Sequence, residues 1–197
     1  MVERVYIVRH GETEWSRSGR HTGRTDVGLS ARGESDAALL SRIFGGVSLS
    51  RVFSSPRLRA ARTCELAGLG RLRETDPDLA EWDYGDYEGL TTAEIRAAVQ
   101  GWQLFRDGCP GGETASAVGA RADRVVARLL GLEGSVALFT HGHFSRVLAA
   151  RWVGQEASFG EHLQIDTACF GILSHEHADR PSRVISLWNR SPWGPSA

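Results

Sequence analysis

Short apolar runs alternate with amphipathic stretches along the chain, and the two patterns predict different elements. The runs RVYIV, RVFSS and SVALFT predict buried strands at 4–8, 51–55 and 135–140. Apolar residues spaced three or four apart predict helices at 30–44, 58–66, 114–130 and 145–153. Near the end of the chain, TACFGILSH and SRVISLW predict two strands that pair antiparallel. This alternation is typical of an α/β fold, a three-layer sandwich in which helices flank a mostly parallel central sheet.

A length of 197 residues and a hydrophobic fraction of 41% fit one domain, which we expect to span residues 1–190. We expect residues 191–197 to form a disordered tail. No run approaches the roughly 18 apolar residues of a membrane span, and we find no signal peptide. The three cysteines are widely spaced and form no CxxC pair, so neither a disulfide framework nor a zinc site is expected. We therefore expect a cytoplasmic protein with no membrane partner.

The charge of the chain limits its partners. A net charge of -1 argues against a nucleic-acid partner bound by bulk electrostatics. All 23 basic residues are arginines, so every cationic contact comes from a guanidinium, the group best suited to bidentate phosphate binding. Coding bias is the simpler explanation of this composition, so the absence of lysine does not by itself indicate a phosphate site.

Three of the predicted strands end on polar residues that can carry chemistry. The first strand ends on Arg9 and His10, and the second on a Ser-Ser pair at 54–55 that leads to Arg59. The strand at 135–140 ends on His141. In a parallel α/β sheet, ligands bind beyond the carboxyl ends of the strands, so we expect these side chains at one edge of the sheet.

Four segments that include these strand ends carry a family resemblance. The segments VRHGETEW, SSPRLRAART, LAEWDYGDYEG and FTHGHFSR resemble, in order, the signature blocks of the histidine phosphatase superfamily, which is also called phosphoglycerate mutase-like. They span residues 8 to 146, which is most of the chain. An RHG tripeptide alone is a weak signal, whereas the four blocks together are highly specific. The resemblance implies the phosphoglycerate mutase-like fold.

The resemblance also implies roles for five residues. His10 would be the nucleophile that forms a phosphohistidine, and Arg9 and Arg59 would clamp the phosphoryl group. His141 would be a second catalytic histidine that donates to the phosphoryl oxygens. Glu81 would be the general acid, in a partly apolar setting beside an aromatic pair. For His10 and His141, the alternative is a structural histidine at a strand end.

A second set of residues is expected to contact the substrate. Thr22 and Gly23 lie in a segment that resembles the family's phosphate loop, and Ser16 stands where many members have asparagine. His143 and Arg146 open a predicted helix and are candidates for a second phosphate, although Arg146 is equally well explained as a salt-bridged helix residue. Tyr84 completes this set. The pair His141 and His143 lacks a third ligand at metal spacing, so we expect no metal and no other cofactor.

The pattern favours hydrolysis over a mutase reaction. Family mutases carry paired arginines and a lysine in a longer insertion, whereas this chain has only Arg106 in a short 99–112 segment and Thr92 where the lysine would align. The blocks look most like a branch with sedoheptulose-1,7-bisphosphatases and acid phosphatases. We therefore expect a phosphatase for small phosphate esters such as sugar phosphates, with a homodimer as a candidate assembly. The alternatives are a cofactor-dependent phosphoglycerate mutase and an inactive phosphate-binding member, which would lack one of the predicted catalytic residues.

Overall fold

A six-stranded sheet forms the centre of the computed structural model, which describes residues 1–177 and 182–193. The strands in chain order are β1 (Val2–Arg9), β2 (Leu49–Ser54), β3 (Arg73–Thr75), β4 (Gly134–Thr140), β5 (Phe170–Glu176) and β6 (Ser182–Arg190). Their order across the sheet is β3-β2-β4-β1-β5-β6. The first four strands are parallel to one another. Strand β5 pairs antiparallel with β1, and β6 pairs antiparallel with β5. The predicted final pair is therefore confirmed, and β3 is a short strand that the sequence pattern did not predict.

Helices connect the strands and cover both faces of the sheet. The α-helices are α1 (Glu14–Arg17), α2 (Ala31–Leu39), α3 (Ser41–Phe44), α4 (Leu58–Leu66), α5 (Thr92–Ala98), α6 (Leu104–Asp107), α7 (Ala115–Leu130) and α8 (Gly142–Trp152). Short 3-10 helices lie at Gly70–Leu72, Pro77–Leu79, Gly85–Tyr87 and Ala157–His162. Helix α4 has the predicted bounds, whereas the predicted helix at 30–44 divides into α2 and α3 at Leu40.

Side chains of β1 alternate between two separate hydrophobic clusters. Val5 and Ile7 belong to the larger cluster, which α7 and α8 cover. Tyr6 and Val8 belong to the second cluster, which includes residues of α3 and α4. A sheet that is buried on both faces in this way is the central layer of three, so the predicted fold class is confirmed.

The register of the sheet brings the ends of three strands level. Val8 of β1 and Ser54 of β2 both pair with Phe139 of β4. The ladder then continues, because the N–H of His10 donates to the Thr140 carbonyl at 3.0 Å and that of Ser55 donates to the Phe139 carbonyl at 2.9 Å. The residues that follow β1, β2 and β4 therefore leave the sheet side by side, as the strand pattern predicts.

The remaining predictions about the ends and the cysteines have mixed outcomes. Within the predicted tail at 191–197, Trp193 donates its indole N–H to Asp36 at 3.2 Å, and residues 194–197 lie outside the described part. All three cysteines are buried and unpaired. Across the residues that the structure describes, no helix is long and apolar enough to cross a membrane.

Candidate active site

A cavity of about 430 Å³ lies at the carboxyl edge of the sheet. Its walls include three of the predicted catalytic residues, Arg9, His10 and Glu81. They also include most of the predicted substrate-binding set: Ser16, Thr22, Tyr84, His143 and Arg146. The other predicted catalytic residues, Arg59 and His141, are fully buried beside His10. The residues that the sequence singles out are thus brought together.

His10 is held in the orientation that a histidine nucleophile needs. Its Nδ1 lies 2.8 Å from the carbonyl oxygen of Gly11, so Nδ1 carries the proton and Nε2 keeps its lone pair. Burial, with the positive charges of Arg59 and Arg9, lowers the pKa of His10 well below its usual value. The imidazole is therefore neutral at neutral pH and able to attack.

The backbone after His10 passes so close to a neighbouring segment that only glycine fits. A Cβ on Gly11 would lie 2.4 Å from the carbonyl oxygen of Gly33, and a Cβ on Gly33 would lie 2.1 Å from that of Glu12. The Gly11 N–H donates to Thr63 Oγ1 at 3.0 Å. This packing fixes the turn that carries the carbonyl partner of His10.

His141 lies against His10, with ring centroids 5.2 Å apart. Its Nδ1 accepts a hydrogen bond from Arg59 Nε at 3.2 Å, so its proton is on Nε2, 2.7 Å from Ser55 Oγ. Burial and the charge of Arg59 lower the pKa of His141 well below its usual value, so this ring is neutral too. The sequence placed Ser55 at a strand end but assigned it no role; its hydroxyl accepts from His141 Nε2–H, in the tautomer that Arg59 fixes.

Arg59 differs from the exposed phosphate clamp that the family pattern implies. Its Nη1 donates to the Thr25 carbonyl at 3.0 Å, and its Nη2 donates to the carbonyls of Thr22 at 2.8 Å and Gly23 at 3.2 Å. Together with the bond to His141, these contacts use all three guanidinium nitrogens. In this structure Arg59 anchors the 22–25 segment and places a positive charge behind the two histidines.

Arg9 brings a positive charge to the wall of the cavity. Its Nη1 donates to the Ile165 carbonyl at 2.6 Å, whereas its buried Nε has no hydrogen-bond partner in the described chain. The guanidinium lies over the backbone of Gly142, where a Cβ would be 3.3 Å from Cζ. Because Arg9 lines the cavity, its positive charge can attract an anion there.

Glu81 is fixed by the start of helix α8. Its Oε1 accepts from the N–H groups of Trp82 and Phe144, both at 2.9 Å, and its Oε2 accepts from that of His143 at 3.1 Å. Glu81 therefore occupies the helix N-terminus that the sequence suggested for a second phosphate. That part of the prediction is wrong, because the N–H groups of residues 143 and 144 already have an anionic partner.

Arg121 orients the segment that carries Glu81, and the sequence gave no signal for it. Its guanidinium donates to the carbonyls of Asp78, Ala80 and Glu81 at 2.8, 2.7 and 3.2 Å. It also pairs with the Glu113 carboxylate at 2.8 Å. An arginine inside a regular helical repeat looks like a surface residue, and only the tertiary structure reveals its carbonyl partners.

The far side of the cavity combines neutral and charged groups. The Tyr84 hydroxyl and His143 Nδ1 share a hydrogen bond of 2.6 Å. Burial raises the pKa of Tyr84 and, with the charge of Arg146, lowers that of His143, so both stay neutral. Arg146 lies over the Phe105 ring at 4.7 Å and donates to the carbonyls of Gly160 and Glu161. The salt-bridge alternative for Arg146 is therefore wrong for the described residues.

Three predicted donors in or near the phosphate loop are already engaged. The Gly23 N–H donates to both carboxylate oxygens of Glu88 at 3.0 Å, so it is not free to donate to a phosphoryl oxygen. Ser16 Oγ accepts from the Thr13 N–H at 2.9 Å in a capping box at the start of α1. The Thr22 hydroxyl donates to the Arg20 carbonyl at 3.1 Å. Of these three residues, Ser16 and Thr22 line the main cavity and Gly23 does not.

Several further residues line the cavity, and the sequence did not identify them. They come from loops and helix ends rather than from a recognisable motif: Arg20, His21, Glu161, Gln164, Ile165 and Asp166. Within the described part of the chain, no group of three His, Cys, Asp or Glu side chains is arranged to hold a metal ion.

Comparisons with known proteins agree with this arrangement. The family model of the histidine phosphatase superfamily (branch 1) matches residues 5–190. An acid phosphatase of Mycobacterium tuberculosis is 43% identical over 188 residues, covering 93% of this chain and 92% of the relative. A sedoheptulose 1,7-bisphosphatase of Saccharomyces cerevisiae is 37% identical over 186 residues, covering 78% and 69%.

A solved structure supports the same assignment. It is that of an open reading frame product of Mycobacterium tuberculosis, with a TM-score of 0.91 and 40% identity, covering 96% of this chain and 98% of that one. The resemblance seen in the sequence blocks is confirmed: the chain belongs to branch 1 of the histidine phosphatase superfamily.

Proposed function

We propose that this histidine phosphatase hydrolyses small phosphomonoesters through a phosphohistidine formed on Nε2 of His10. The observation that carries the proposal is the 2.8 Å bond from His10 Nδ1 to the Gly11 carbonyl. It leaves a neutral imidazole with its lone pair on Nε2, in a cavity that Arg9 also lines. Among the common reactions of phosphate esters, this arrangement suits phosphoryl transfer to nitrogen.

The reaction takes place in two displacements. In the first, the Nε2 lone pair attacks phosphorus, the bond to the leaving oxygen breaks, and Glu81 gives that oxygen a proton. In the second, Glu81 accepts a proton from water, whose oxygen attacks phosphorus, and the P–N bond breaks to release inorganic phosphate. Three backbone N–H groups hold the Glu81 carboxyl group in place, and the proton that it transfers arrives from solvent or with a substrate monoanion.

Charge on the transferring group is stabilised by groups that are already in place. Arg9 places a positive charge at the cavity wall, and Arg59 adds a second positive charge behind the histidines. The Nε2–H of His141 can exchange its bond with Ser55 for one with a phosphoryl oxygen. Donors fixed before the reaction need no reorganisation in the transition state.

Two features favour sugar phosphates as the substrate class. The far wall presents neutral hydrogen-bonding groups on Tyr84, His143 and Thr92, which suit hydroxyl groups. Arg146 lies beyond them as a cation for a second phosphate. The yeast relative is a sedoheptulose 1,7-bisphosphatase, which supports the same class.

A mutase reaction fits less well. Arg106, the one arginine of the short 99–112 segment, is exposed and engaged with Asp107 and the Gly101 carbonyl. Thr92 lines the cavity where the family mutases are expected to place a lysine. Neither residue supplies a cation that would hold a phosphoglycerate for transfer to its second hydroxyl.

The first test is phosphate release in the presence of a metal chelator. The substrates would be an aryl phosphate, 3-phosphoglycerate, and sugar mono- and bisphosphates, with His10→Ala as the inactive variant and His162→Ala at an exposed histidine as its control. We expect release that survives chelation and is lost only in His10→Ala. Absence of release from every substrate, or conversion of 3-phosphoglycerate to its 2-isomer without hydrolysis, would contradict the proposal.

The sugar-bisphosphate preference is tested at Arg146. Arg146→Met keeps an unbranched chain over Phe105 and removes the charge, so we expect kcat/KM for a sugar bisphosphate to fall about tenfold while that for an aryl phosphate changes less than about twofold. Arg151→Met, on the same helix but paired with Asp123 on the surface, is the matched control. Equal losses for both substrates would contradict a second-phosphate role.

A further inference from the structure

The end of strand β6 is bonded to a loop that forms part of the cavity wall. Asn189 makes two side-chain bonds to Asp166: its Oδ1 accepts from the Asp166 N–H at 2.8 Å, and its Nδ2 donates to Asp166 Oδ2 at 2.9 Å. Asn189 has a φ of 52°, a left-handed conformation that asparagine tolerates better than most residues. The loop that contains Asp166 comprises residues 164–168 and is called the 164–168 loop below.

A second bond from β6 holds the start of the same loop. The indole N–H of Trp188 donates to the Gln164 carbonyl at 2.7 Å, and Gln164 Nε2 donates to Asp166 Oδ1 at 3.0 Å. Ala168, at the other end of the loop, has a φ of 55°, which costs energy for a residue with a Cβ. The conformation of the loop is therefore imposed by surrounding contacts, and the contacts from β6 are among them.

The 164–168 loop in turn contacts the two residues at the end of β1. The Ile165 carbonyl accepts from Arg9 Nη1 at 2.6 Å, the shortest bond of that guanidinium among the described contacts. The Ala168 N–H donates to the His10 carbonyl at 3.1 Å. Asn189 lines a separate cavity with Cys169 and Trp193 and is not among the residues of the main cavity. Its connection to the chemistry passes through the loop.

We propose that Asn189 is a positioning residue for Arg9: its paired bonds to Asp166 hold the 164–168 loop so that the Ile165 carbonyl fixes the Arg9 guanidinium against the phosphoryl group. The inference rests on the proposed function, because Arg9 has a phosphoryl group to bind only if the cavity takes phosphate esters. Displacing a positioned group by about 1 Å can cost up to about 100-fold in rate, so a distant hydrogen bond can matter to catalysis.

The test removes the Asn189 side chain without straining its backbone. Asn189→Gly keeps the left-handed conformation, and we expect kcat/KM to fall about tenfold and the inhibition constant of inorganic phosphate to rise by a similar factor. The matched control is Ser186→Ala, which breaks the side-chain bond between Ser186 and Ser174 in the same strand pair without touching the loop. We expect less than about a twofold change in that control.

A readout specific to positioning comes from the Arg9→Lys background. An ammonium cannot reproduce the fixed contact with Ile165, so Asn189→Gly should then cost less than about twofold. A further variant exchanges the pair by combining Asp166→Asn with Asn189→Asp. The backbone N–H of residue 166 still donates to the side chain at 189, and the bond between the two side chains forms with donor and acceptor reversed. We expect the exchange to recover most of the activity lost in Asn189→Gly. Equal losses in both Arg9 backgrounds, or no recovery on exchange, would overturn the inference.

Hydrogen exchange separates failure of this inference from failure of the proposed function. Asn189→Gly should speed exchange of the amides of Asp166 and Ala168, with that of Val8 in the core unchanged. If the wild-type chain releases no phosphate but Asn189→Gly still speeds exchange of these two amides, the loop contact stands and the proposed function fails. If the chain hydrolyses phosphate esters and neither the exchange nor the inhibition constant changes, the positioning role fails alone.

Discussion

The two ends of the cavity are built in different ways. At the His10 end, the side chains of His10, Arg59 and His141 are 5%, 0% and 0% exposed, and they follow strands or lie on a helix packed on the sheet. At the far end, Arg20, Glu161 and Gln164 are exposed and lie on loops and a 3-10 helix. The first end is a rigid, desolvated set of groups, and the second is an open rim.

The contrast assigns different tasks to the two ends. Buried groups whose partners are fixed in advance suit charge stabilisation, because they do not reorganise during the reaction. Rim residues on loops tolerate substitution and insertion, so they suit discrimination among substrates. We therefore expect changes at the His10 end to reduce turnover of every substrate, and changes at the far end to alter the ranking of substrates.

Arg59→Lys breaks the comparison at its most buried point. A lysine cannot reach His141 and the carbonyls of Thr22 and Thr25 together, so we expect kcat to fall roughly 10³-fold for all substrates. The unsatisfied carbonyls should also lower the free energy of unfolding by about 1–3 kcal/mol. Arg62→Lys, one turn away on the same helix and paired with Glu34 at the surface, is the control in urea unfolding and in turnover. Retention of activity in Arg59→Lys would show that the buried end is not fixed as described.

Glu81→Gln tests the residue that lies between the two ends. The amide cannot supply a proton, so we expect kcat for an alkyl phosphate to fall roughly 10²-fold, against less than tenfold for an aryl phosphate whose leaving oxygen needs little protonation. A plot of rate against leaving-group acidity should be steeper in the variant than in the wild type. Parallel plots would mean that Glu81 is not the acid.

His21→Phe tests whether a histidine of the cavity wall is buried and neutral, by the pH dependence of the free energy of unfolding. Burial lowers the pKa of His21 to about 4, whereas its ordinary value is 6.5. Below pH 6.5, His21 is protonated in the unfolded chain but stays neutral in the folded chain until the pH approaches 4. The stability that a neutral His21 contributes above pH 6.5 is therefore lost as the pH falls toward 4. Between pH 7 and pH 5 this loss is about 2 kcal/mol.

The variant removes this one titration and keeps an aromatic ring against Tyr84 and Trp102. Urea unfolding at pH 7 and pH 5 should therefore show a smaller loss for His21→Phe than for the wild type. His162→Gln, at an exposed histidine, should lose as much as the wild type does. The same pH dependence in His21→Phe and wild type would contradict the buried, neutral state of His21.

The sequence predicted the His10 end because strand periodicity and chain order determine where strands end. Arg9, His10, Ser55 and His141 each follow directly from a buried run, and the rule for parallel sheets places such ends together. Arg59 is also placed by its distance from a strand end, but its three carbonyl acceptors depend on how the 22–25 segment folds back. The sequence therefore indicated its location and not its partners.

The residues that support the site through loops and connecting segments were harder to predict, because they do not lie at the ends of strands. Hydrogen bonds join Arg121 and Asn189 to residues between 8 and 43 positions away in the chain. Gln164 bonds to Asp166 within its own loop and accepts from Trp188. No periodic pattern in the sequence reveals these contacts. The N–H groups at the start of α8 were predicted to bind a second phosphate, and this part of the prediction was wrong because a helix N-terminus accepts any anion and Glu81 from a distant segment occupies it. Tertiary competition of this kind is invisible in a local motif.

The most direct test of the account is to trap the covalent intermediate. The chain would be mixed with a phosphate ester and quenched in alkali, where phosphohistidine persists, and the phosphorylated peptide located by mass spectrometry with the ring nitrogen assigned by phosphorus NMR. Because His10 Nδ1 is bonded to the Gly11 carbonyl, we predict phosphate on Nε2 of His10 and none in His10→Ala. Phosphate on Nδ1, on another residue, or retained in His10→Ala would contradict the account.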